Sequence, residues 1–495
     1  MTRRRAPGAL LGGLLAAASV PPWGWWPLAF VGVALFAVVL RDQSPRRRAT
    51  LGLVFGIGQF GPTLWWMADL HVVGWALVVV LEAGFLALAG LAATRRSGLA
   101  LAPALVLAEL LRSHWPFGGL PMGGLTLGQA AGPLAPATRL LGPLVLVALV
   151  AFVAVSASEW ARNRGRSPRF LAHLAMGAGL VVAGVVSPHG HDTDPLRVAA
   201  VQGGGVRGMQ AVDGDPARVF DAHLAATHVG RDVDLVVWPE DVVDVEGDVV
   251  GTPEGEQLAA LARRTGATLV AGVVMGEDDR FHNVAVAWGP DGRPVDRYEK
   301  NHRVPFGEWV PFRSLVERVA DVSVIPRDAI VGREPGLLRT PAGPLGVVIS
   351  YEVFFSGRAR SAVGAGGELV LVPTNAASFR SGQVPAQEVA AARLVALATG
   401  RWVVQAAPTG YTAVVGPDGR VRSRTGLSRR AVLQATVMRR TGATPYARWG
   451  DSPMVAMTAI GLAAAALSGR GRTGPFRRRR TSPATAPRTP PGSQP

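Results

Sequence analysis

Cysteine is absent from the 495 residues, which excludes disulfides, thiolate metal sites and a thiol nucleophile. Lysine is almost absent as well: the 51 basic residues comprise 50 arginines and a single lysine, Lys300. Charge is sparse, at 17% of residues, and unbalanced, with 35 acidic side chains and a formal net charge of +16. What fills the chain is apolar: 48% hydrophobic residues, with 61 glycines and 38 prolines. The basicity is also unevenly placed. Residues 196–440 hold 28 Lys+Arg and 27 Asp+Glu, so the rest of the chain carries 23 basic and only 8 acidic residues. A nucleic-acid partner would require a basic patch on a folded face. Positive loops between apolar segments point instead to a bilayer, and nucleic acid is not expected as a partner.

Apolar stretches run over 8–20, 25–40, 51–68, 72–93, 99–112, 137–157 and 170–187, with an eighth at 452–468. A membrane span takes about 20 mainly apolar residues, so several of these are short. The start at Arg3–Arg5 and the run ending Ala17-Ala18-Ser19 imitate a signal peptide, but a second apolar stretch follows at once. Basic clusters at Arg3–Arg5, Arg41 with Arg46–Arg48, Arg95–Arg96, Arg162–Arg169 and Arg470–Arg480 all fall on one side when the eight stretches are counted as spans. The positive-inside rule then predicts a multi-pass plasma-membrane protein with both termini cytoplasmic and residues 188–450 outside. The expected domains are a membrane part over 1–187 with about seven helices, an α/β domain over 196–440, a last membrane helix over 452–468, and a disordered basic cytoplasmic tail over 469–495.

Within 196–440 the pattern changes to short apolar runs, Leu196–Gln202, Leu235–Trp238, Thr268–Met275, Leu345–Tyr351, Leu369–Val372 and Trp402–Ala406, alternating with helical stretches such as Glu256–Arg264 and Pro385–Thr399. Such runs read as buried strands of an α/β domain. Gly-Pro-Asp-Gly occurs at 289–292 and 416–419, each time as a hairpin-type turn signal.

Three segments carry candidate chemistry at strand ends. Trp238-Pro239-Glu240 leaves Glu240 just past a strand; Tyr298–Glu308 holds Lys300 and Glu308; Ile349-Ser350-Tyr351-Glu352 closes another strand. Lys300 is the most informative, because an ammonium is compact and adjusts its pKa on burial where a guanidinium does not. Taken singly, Glu240 also fits a helix cap, Ser350 a structural serine, and Glu308 and Glu352 a solvated surface. Together a base, a cation and a hydroxyl can converge at one sheet edge. Glu82 and Glu109 lie in apolar stretches, where an ionisable group is a functional candidate, although Arg112 offers Glu109 a local partner. No metal is expected: the nine histidines are scattered, and His189 and His191 have no third ligand nearby. The run Gln202–Gly205 lacks the Gly-Lys-Ser/Thr ending of a phosphate loop.

In this order, Trp-Pro-Glu, Tyr-x-Lys-x-His-x-Val-Pro-Phe-Gly-Glu and Ile-Ser-Tyr-Glu resemble the three catalytic motifs of the nitrilase superfamily. The continuation Val304–Pro311, the segments Val372–Ala376 and Ala392–Arg401, and the loop Leu111–Gln129 resemble its apolipoprotein N-acyltransferase branch. The resemblance covers roughly residues 8–468. It implies a polytopic α-helical membrane protein with an inserted exoplasmic α/β nitrilase-like domain, an αββα sandwich, and no cofactor. It also implies a ping-pong reaction in which a phospholipid donates an acyl chain to the enzyme, which passes it to the α-amino group of a diacylglyceryl-cysteine at a lipoprotein N-terminus. Carried over by motif, Glu240 is the general base, Lys300 stabilises the oxyanion, Ser350 is the nucleophile, Glu308 orients the site, and Tyr351 and Glu352 flank the nucleophile.

The sequence departs from the family at the nucleophile, where the family has cysteine and this chain has Ser350. A serine hydroxyl is far less acidic than a thiol of pKa about 8.5 and needs a placed base throughout; Ser–Lys nucleophile systems are known. A second departure is the stretch Gly203–Asp213, which lacks the tryptophan of many members. Three readings follow: a serine-variant N-acyltransferase, a catalytically impaired homologue that binds lipid or lipoprotein or supports a membrane partner, and a nitrilase-type amide hydrolase that leaves the apolar stretches without a task.

Overall fold

A computed structural model describes residues 5–93, 100–166, 168–212, 214–318, 322–323 and 325–470. Arg95–Arg96 and the expected basic tail after residue 470 lie outside the described residues.

Each of the eight apolar stretches forms a helix: α1 Arg5–Ser19, α2 Pro27–Leu40, α3 Pro45–Thr63, α4 Val72–Ala92, α5 Leu101–Arg112, α6 Leu144–Arg162, α7 Pro168–Val186 and, at the far end of the chain, Ser452–Arg470. Boundaries shift where local chemistry dictates. The third helix starts at Pro45 rather than residue 51, because proline at the first helical position has no orphaned N–H. The sixth begins at Leu144 rather than 137, because Gly142 takes φ 76° just ahead of Pro143 and breaks the run. Helices α1 and α3 approach so closely that a Cβ on Gly13 would stand 2.0 Å from the Phe55 carbonyl oxygen, the small-residue contact that lets helix backbones pack without side chains between them. Among the described residues, α4 and α6 are long and apolar enough to cross a membrane; α2, most of α7 and most of Ser452–Arg470 are apolar but shorter. Large apolar side chains face outward on several of these helices, among them Leu77, Val80 and Leu88 on α4 and Leu171, Val182 and Val186 on α7.

From residue 191 the chain builds β1 His191–Gln202, β2 Leu235–Val237, β3 Val243–Glu246, β4 Thr268–Glu277, β5 Arg280–Trp288, β6 Pro294–Glu299, β7 Asp328–Ala329, β8 Leu337–Thr340, β9 Gly343–Val347, β10 Leu369–Pro373, β11 Val403–Ala406, β12 Ala413–Val415, β13 Val421–Arg424 and β14 Ala431–Thr441. The interleaved helices are α8 Pro216–Ala226, α9 Pro253–Thr265, α10 Ser356–Gly364 and α11 Gln383–Thr399; the final helix Ser452–Arg470 is α12. One sheet runs β14-β1-β2-β4-β5-β6, with β3 on β4 and β7 on β5; the other runs β13-β12-β11-β10-β9-β8. Both Gly-Pro-Asp-Gly segments close antiparallel hairpins, β5–β6 and β12–β13, with Gly292 at φ 80° and Gly419 at φ 74°.

Alternation along each strand sets the layers. Val198 and Ala200, Leu235 and Val237, and Leu369 and Leu371 share one core between the two sheets. The intervening Ala199, Val201 and Val236 face α8 and α9 through Phe220, Leu258 and Leu261. Val370 and Val372 face α10 and α11 through Val363, Ala391 and Val395, in a core continuous with the N-terminal helices. The result is an αββα sandwich in which each fully buried Val or Leu contributes about 1.5–3 kcal/mol. Helix α11 is buried on nearly all sides. It bridges sandwich and helices through Gln387, which donates to Thr63 O at 3.0 Å and accepts from Gly123 N at 2.8 Å.

Candidate active site

The three motif segments follow β2 and β6 of one sheet and β9 of the other, and their side chains meet at one end of the sandwich. Glu240 follows β2 in a turn held by Trp238 N donating to Val270 O at 2.8 Å and Gly272 N to Pro239 O at 3.0 Å. The β2 pairing stops at Val237, one residue earlier than expected. Gly272 is required by proximity, since a Cβ there would lie 2.4 Å from Pro239 O and 2.5 Å from Glu240 Cα. Gly272→Ala is therefore expected to displace Glu240 and to destabilise the protein by about 1–3 kcal/mol, read as a lowered midpoint in thermal unfolding.

Lys300 sits at the end of β6, its N–H donating to Asn283 O at 2.9 Å. Its ammonium is 2% exposed and donates to Glu240 Oε1 at 2.8 Å and Glu308 Oε1 at 2.6 Å. Burial works against the charge, but these two carboxylates overcome it and hold the Lys300 pKa above the ordinary lysine value. Asn283, on β5, donates to the same two oxygens at 3.0 and 2.9 Å. Glu308 is fixed in turn by Val304 N, which donates to its Oε2 at 2.7 Å.

Ser350 differs from expectation in its backbone. The strand predicted to run to Tyr351 ends at Val347, and Ser350–Phe354 is a 3-10 turn. Ser350 has φ 52°, a left-handed conformation that costs a non-glycine residue on the order of 1 kcal/mol or more and that concentrates at functional sites. A strand-to-helix turn of this kind lifts the side chain off the sheet, as in nucleophile elbows. Among the described residues, the hydrogen-bond partner of Ser350 Oγ is the Thr374 hydroxyl at 3.3 Å.

Glu352 explains how the turn is held. Its fully buried carboxylate accepts from Ile349 N at 2.8 Å, from Asn301 N at 2.9 Å, from His302 N at 3.0 Å and from the Tyr298 hydroxyl. Arg358 stands 3.6 Å away. One side chain thus joins the Ser350 turn to the two residues that follow Lys300. Burial raises the Glu352 pKa, opposed by Arg358 and the three N–H donors. Tyr351 points the other way, donating to Gly119 O at 2.7 Å, and His302 Nε2 lies 3.1 Å from Gly118 O. The Leu111–Gln129 loop therefore packs on both the lysine and the serine segments. Burial lowers the His302 pKa to about 4 and keeps its ring neutral, stacked on Phe355 with centroids 3.7 Å apart.

All six residues singled out from the sequence occur in this region. Glu240, Lys300 and Glu308 touch directly, and Ser350, Tyr351 and Glu352 form the adjoining turn. Glu82 and Glu109 belong elsewhere: Arg112 binds them at 2.5 and 3.1 Å. Sequence reasoning missed Asn283, Thr374 and Glu388. Asn283 had no signal beyond its place in a strand. Thr374 directly follows β10, within the Val372–Ala376 segment. Glu388 is the one acidic residue in the mostly apolar helix α11, and that isolation was the available clue.

Residues 12–156 match the family model for the apolipoprotein N-acyltransferase N-terminal domain, and residues 197–446 match that for carbon-nitrogen hydrolase. The apolipoprotein N-acyltransferase of Mycolicibacterium smegmatis is 31% identical over 96% of this chain and 87% of its own length. That of Pseudomonas putida is 32% identical over 95% and 98%. A solved nitrilase-superfamily protein, Nit3 of Saccharomyces cerevisiae, is similar over 51% of this chain and 92% of its own at 18% identity, with a TM-score of 0.39. With both domain models matched in order and such identity to proteins of nearly equal extent, the chain belongs to the apolipoprotein N-acyltransferase family.

Proposed function

We propose that this protein moves an acyl chain from a membrane phospholipid to the α-amino group of a diacylglyceryl-cysteine at a lipoprotein N-terminus, through an ester on Ser350. The observation that carries the proposal is the buried trio in which Lys300 is clasped by Glu240 and Glu308, beside a serine on a left-handed turn.

In the first half-reaction Glu240 takes the Ser350 hydroxyl proton as Oγ bonds to the donor ester carbonyl. With both carboxylates ionised the trio carries one negative charge; the proton makes it neutral as the oxyanion forms. The Lys300 ammonium stabilises that oxyanion in a dry site, where a fixed charge acts strongly. Collapse breaks the carbonyl bond to the lysophospholipid oxygen, which recovers the proton from Glu240. In the second half the acceptor amine attacks the Ser350 ester, its N–H proton passes to Glu240, and Oγ leaves and is reprotonated. Glu308 and Asn283 hold Lys300 and Glu240 in register, while Tyr351 and Glu352 set the nucleophile turn.

The membrane arrangement belongs to the same proposal. Eight spans, α1–α7 and α12, carry an extracytoplasmic sandwich over 196–440 with both termini in the cytoplasm. The outward apolar faces of α4 and α7 and the one-sided basic clusters support this reading. Both substrates are then lipid-anchored at the bilayer on which the sandwich sits.

The test is N-terminal mass spectrometry of a reporter lipoprotein in a host depleted of its own N-acyltransferase. The natural sequence is expected to triacylate the reporter, and Ser350→Ala to leave it diacylated. Ser350→Cys is expected to work at least as fast, because a thioester transfers to an amine more readily than an oxyester. Transfer by Ser350→Cys alone would overturn the proposal and direct the search to binding partners.

A further inference from the structure

Glu388 is a buried titratable group that the reaction above does not use. It projects from α11, is 2% exposed, and its Oε1 lies 2.5 Å from the Thr374 hydroxyl. The same hydroxyl lies 3.3 Å from Ser350 Oγ. Three side chains, from α11, the residue after β10 and the 3-10 turn, thus form one line ending at the nucleophile.

A hydroxyl has one proton to give, so Thr374 donates to Glu388 or to Ser350 but not to both. If Glu388 is ionised, it claims the Thr374 proton, and Ser350 donates its own proton into Thr374. If Glu388 is protonated, it donates to Thr374 and Thr374 donates to Ser350 Oγ. The serine proton is then free to point elsewhere, and the oxygen left behind is stabilised by a donor. Only the second arrangement suits a nucleophile whose proton goes to Glu240. We propose that Glu388 is a positioning residue for Ser350, whose proton sets the direction of the Glu388–Thr374–Ser350 chain. The proposal rests on Ser350 as the reacting group.

The surroundings favour the protonated form. Glu388 Oε2 has no hydrogen-bond partner among the described residues, which a buried carboxyl tolerates far better neutral than charged. The charged groups facing Glu388 are Glu240, Arg207 and Lys300. Burial, with the negative Glu240, pushes its pKa up to about 8 against Thr374, Arg207 and Lys300. The competent direction is therefore present at neutral pH and lost as pH rises through that value.

Two arms on the full-length detergent-solubilised protein test this. In the first, reporter acylation is followed from pH 6 to 9. The natural protein is expected to lose rate above about pH 8, as Glu388 gives up its proton. Glu388→Gln, whose amide donates to Thr374 at every pH, is expected to lose that alkaline fall, its rate at pH 7 dropping no more than about threefold. Thr374→Val is expected to drop about tenfold, with Thr374→Ser restoring most of it. In the second arm Ser350→Cys supplies a lone thiol in a chain with no cysteine, and iodoacetamide alkylation against pH reads its ionisation. Adding Glu388→Gln is expected to lower the thiol midpoint by about one unit, the size of a nearby buried charge removed. Adding Thr374→Val is expected to raise it, and Thr374→Ser to leave it low. An unchanged midpoint in Ser350→Cys/Glu388→Gln, or equal midpoints for the Val and Ser variants, overturns the proposal. Absence of reporter acylation by the natural protein at every pH instead overturns the acyltransferase reading, and the alkylation arm still decides this one.

Discussion

Lys300→Met is expected to reduce acyl transfer by about 10²–10³-fold or more, the cost of removing a preorganised oxyanion donor, and also to destabilise the protein. Methionine is unbranched and nearly as long as lysine but carries neither the charge nor the N–H donors that reach Glu240 and Glu308. Glu240 and Glu308 would then face each other across Asn283 with no cation between them. Breaking a buried pair by deleting one partner costs about 3–5 kcal/mol, which thermal unfolding would register. The two effects are separable: Lys300→Met/Glu308→Gln should regain part of the stability, because one uncompensated carboxylate is gone, and none of the activity. Recovery of transfer in the double variant would remove Lys300 from the chemistry. Lys300→Arg should also fail, since a planar guanidinium cannot replace a compact ammonium held by two carboxylates.

Glu352→Ala is expected to have the largest structural effect of any substitution near the site. It leaves the N–H groups of Ile349, Asn301 and His302 without their acceptor, each at about 1–3 kcal/mol when buried. That sum is comparable with the whole stability of a typical domain, about 5–15 kcal/mol. The Lys300 segment and the Ser350 turn should come apart. The single lysine makes this directly visible: amine acylation by a small reagent can label only Lys300 and the N-terminus, and Lys300 labelling should rise strongly in Glu352→Ala. Glu352→Gln should fall between, because one amide oxygen still accepts while its NH₂ meets like donors. Lys300 labelling as slow as in the natural protein would show that Glu352 does not hold the two segments together.

The two substitutions separate roles that a motif alone merges. Lys300 and Glu352 both lie in the segments that resembled the superfamily, yet one meets the trio and the other meets the backbone. Glu240 and Ser350 were legible because each closes an apolar run, next to Trp-Pro or Ile, and Lys300 because it sits in the Tyr-Glu-Lys segment. Lys300 was further marked by being the only lysine in an arginine-rich chain. The departure at Ser350 was equally plain, because no other position supplies a thiol.

By itself the sequence located the eight apolar helices, six of the buried strands, the loops that bear the positive charge, and six candidate residues at or near strand ends. These follow from local causes: apolar runs of a given period, prolines and glycines at turns, and charge along the chain. Only the tertiary structure decided the backbone of Ser350 and the partners of its hydroxyl. The turn in which Ser350 takes its left-handed φ is held by Glu352, which binds Ile349 within the turn and Asn301 and His302 about fifty residues away in sequence. Asn283, Thr374 and Glu388 likewise acquire their places from strand order and from the burial of α11 between the sandwich and the N-terminal helices. A mostly apolar helix buried on nearly all sides has no clear amphipathic stripe to reveal which way its one carboxylate points, so that information exists only once the helix is packed.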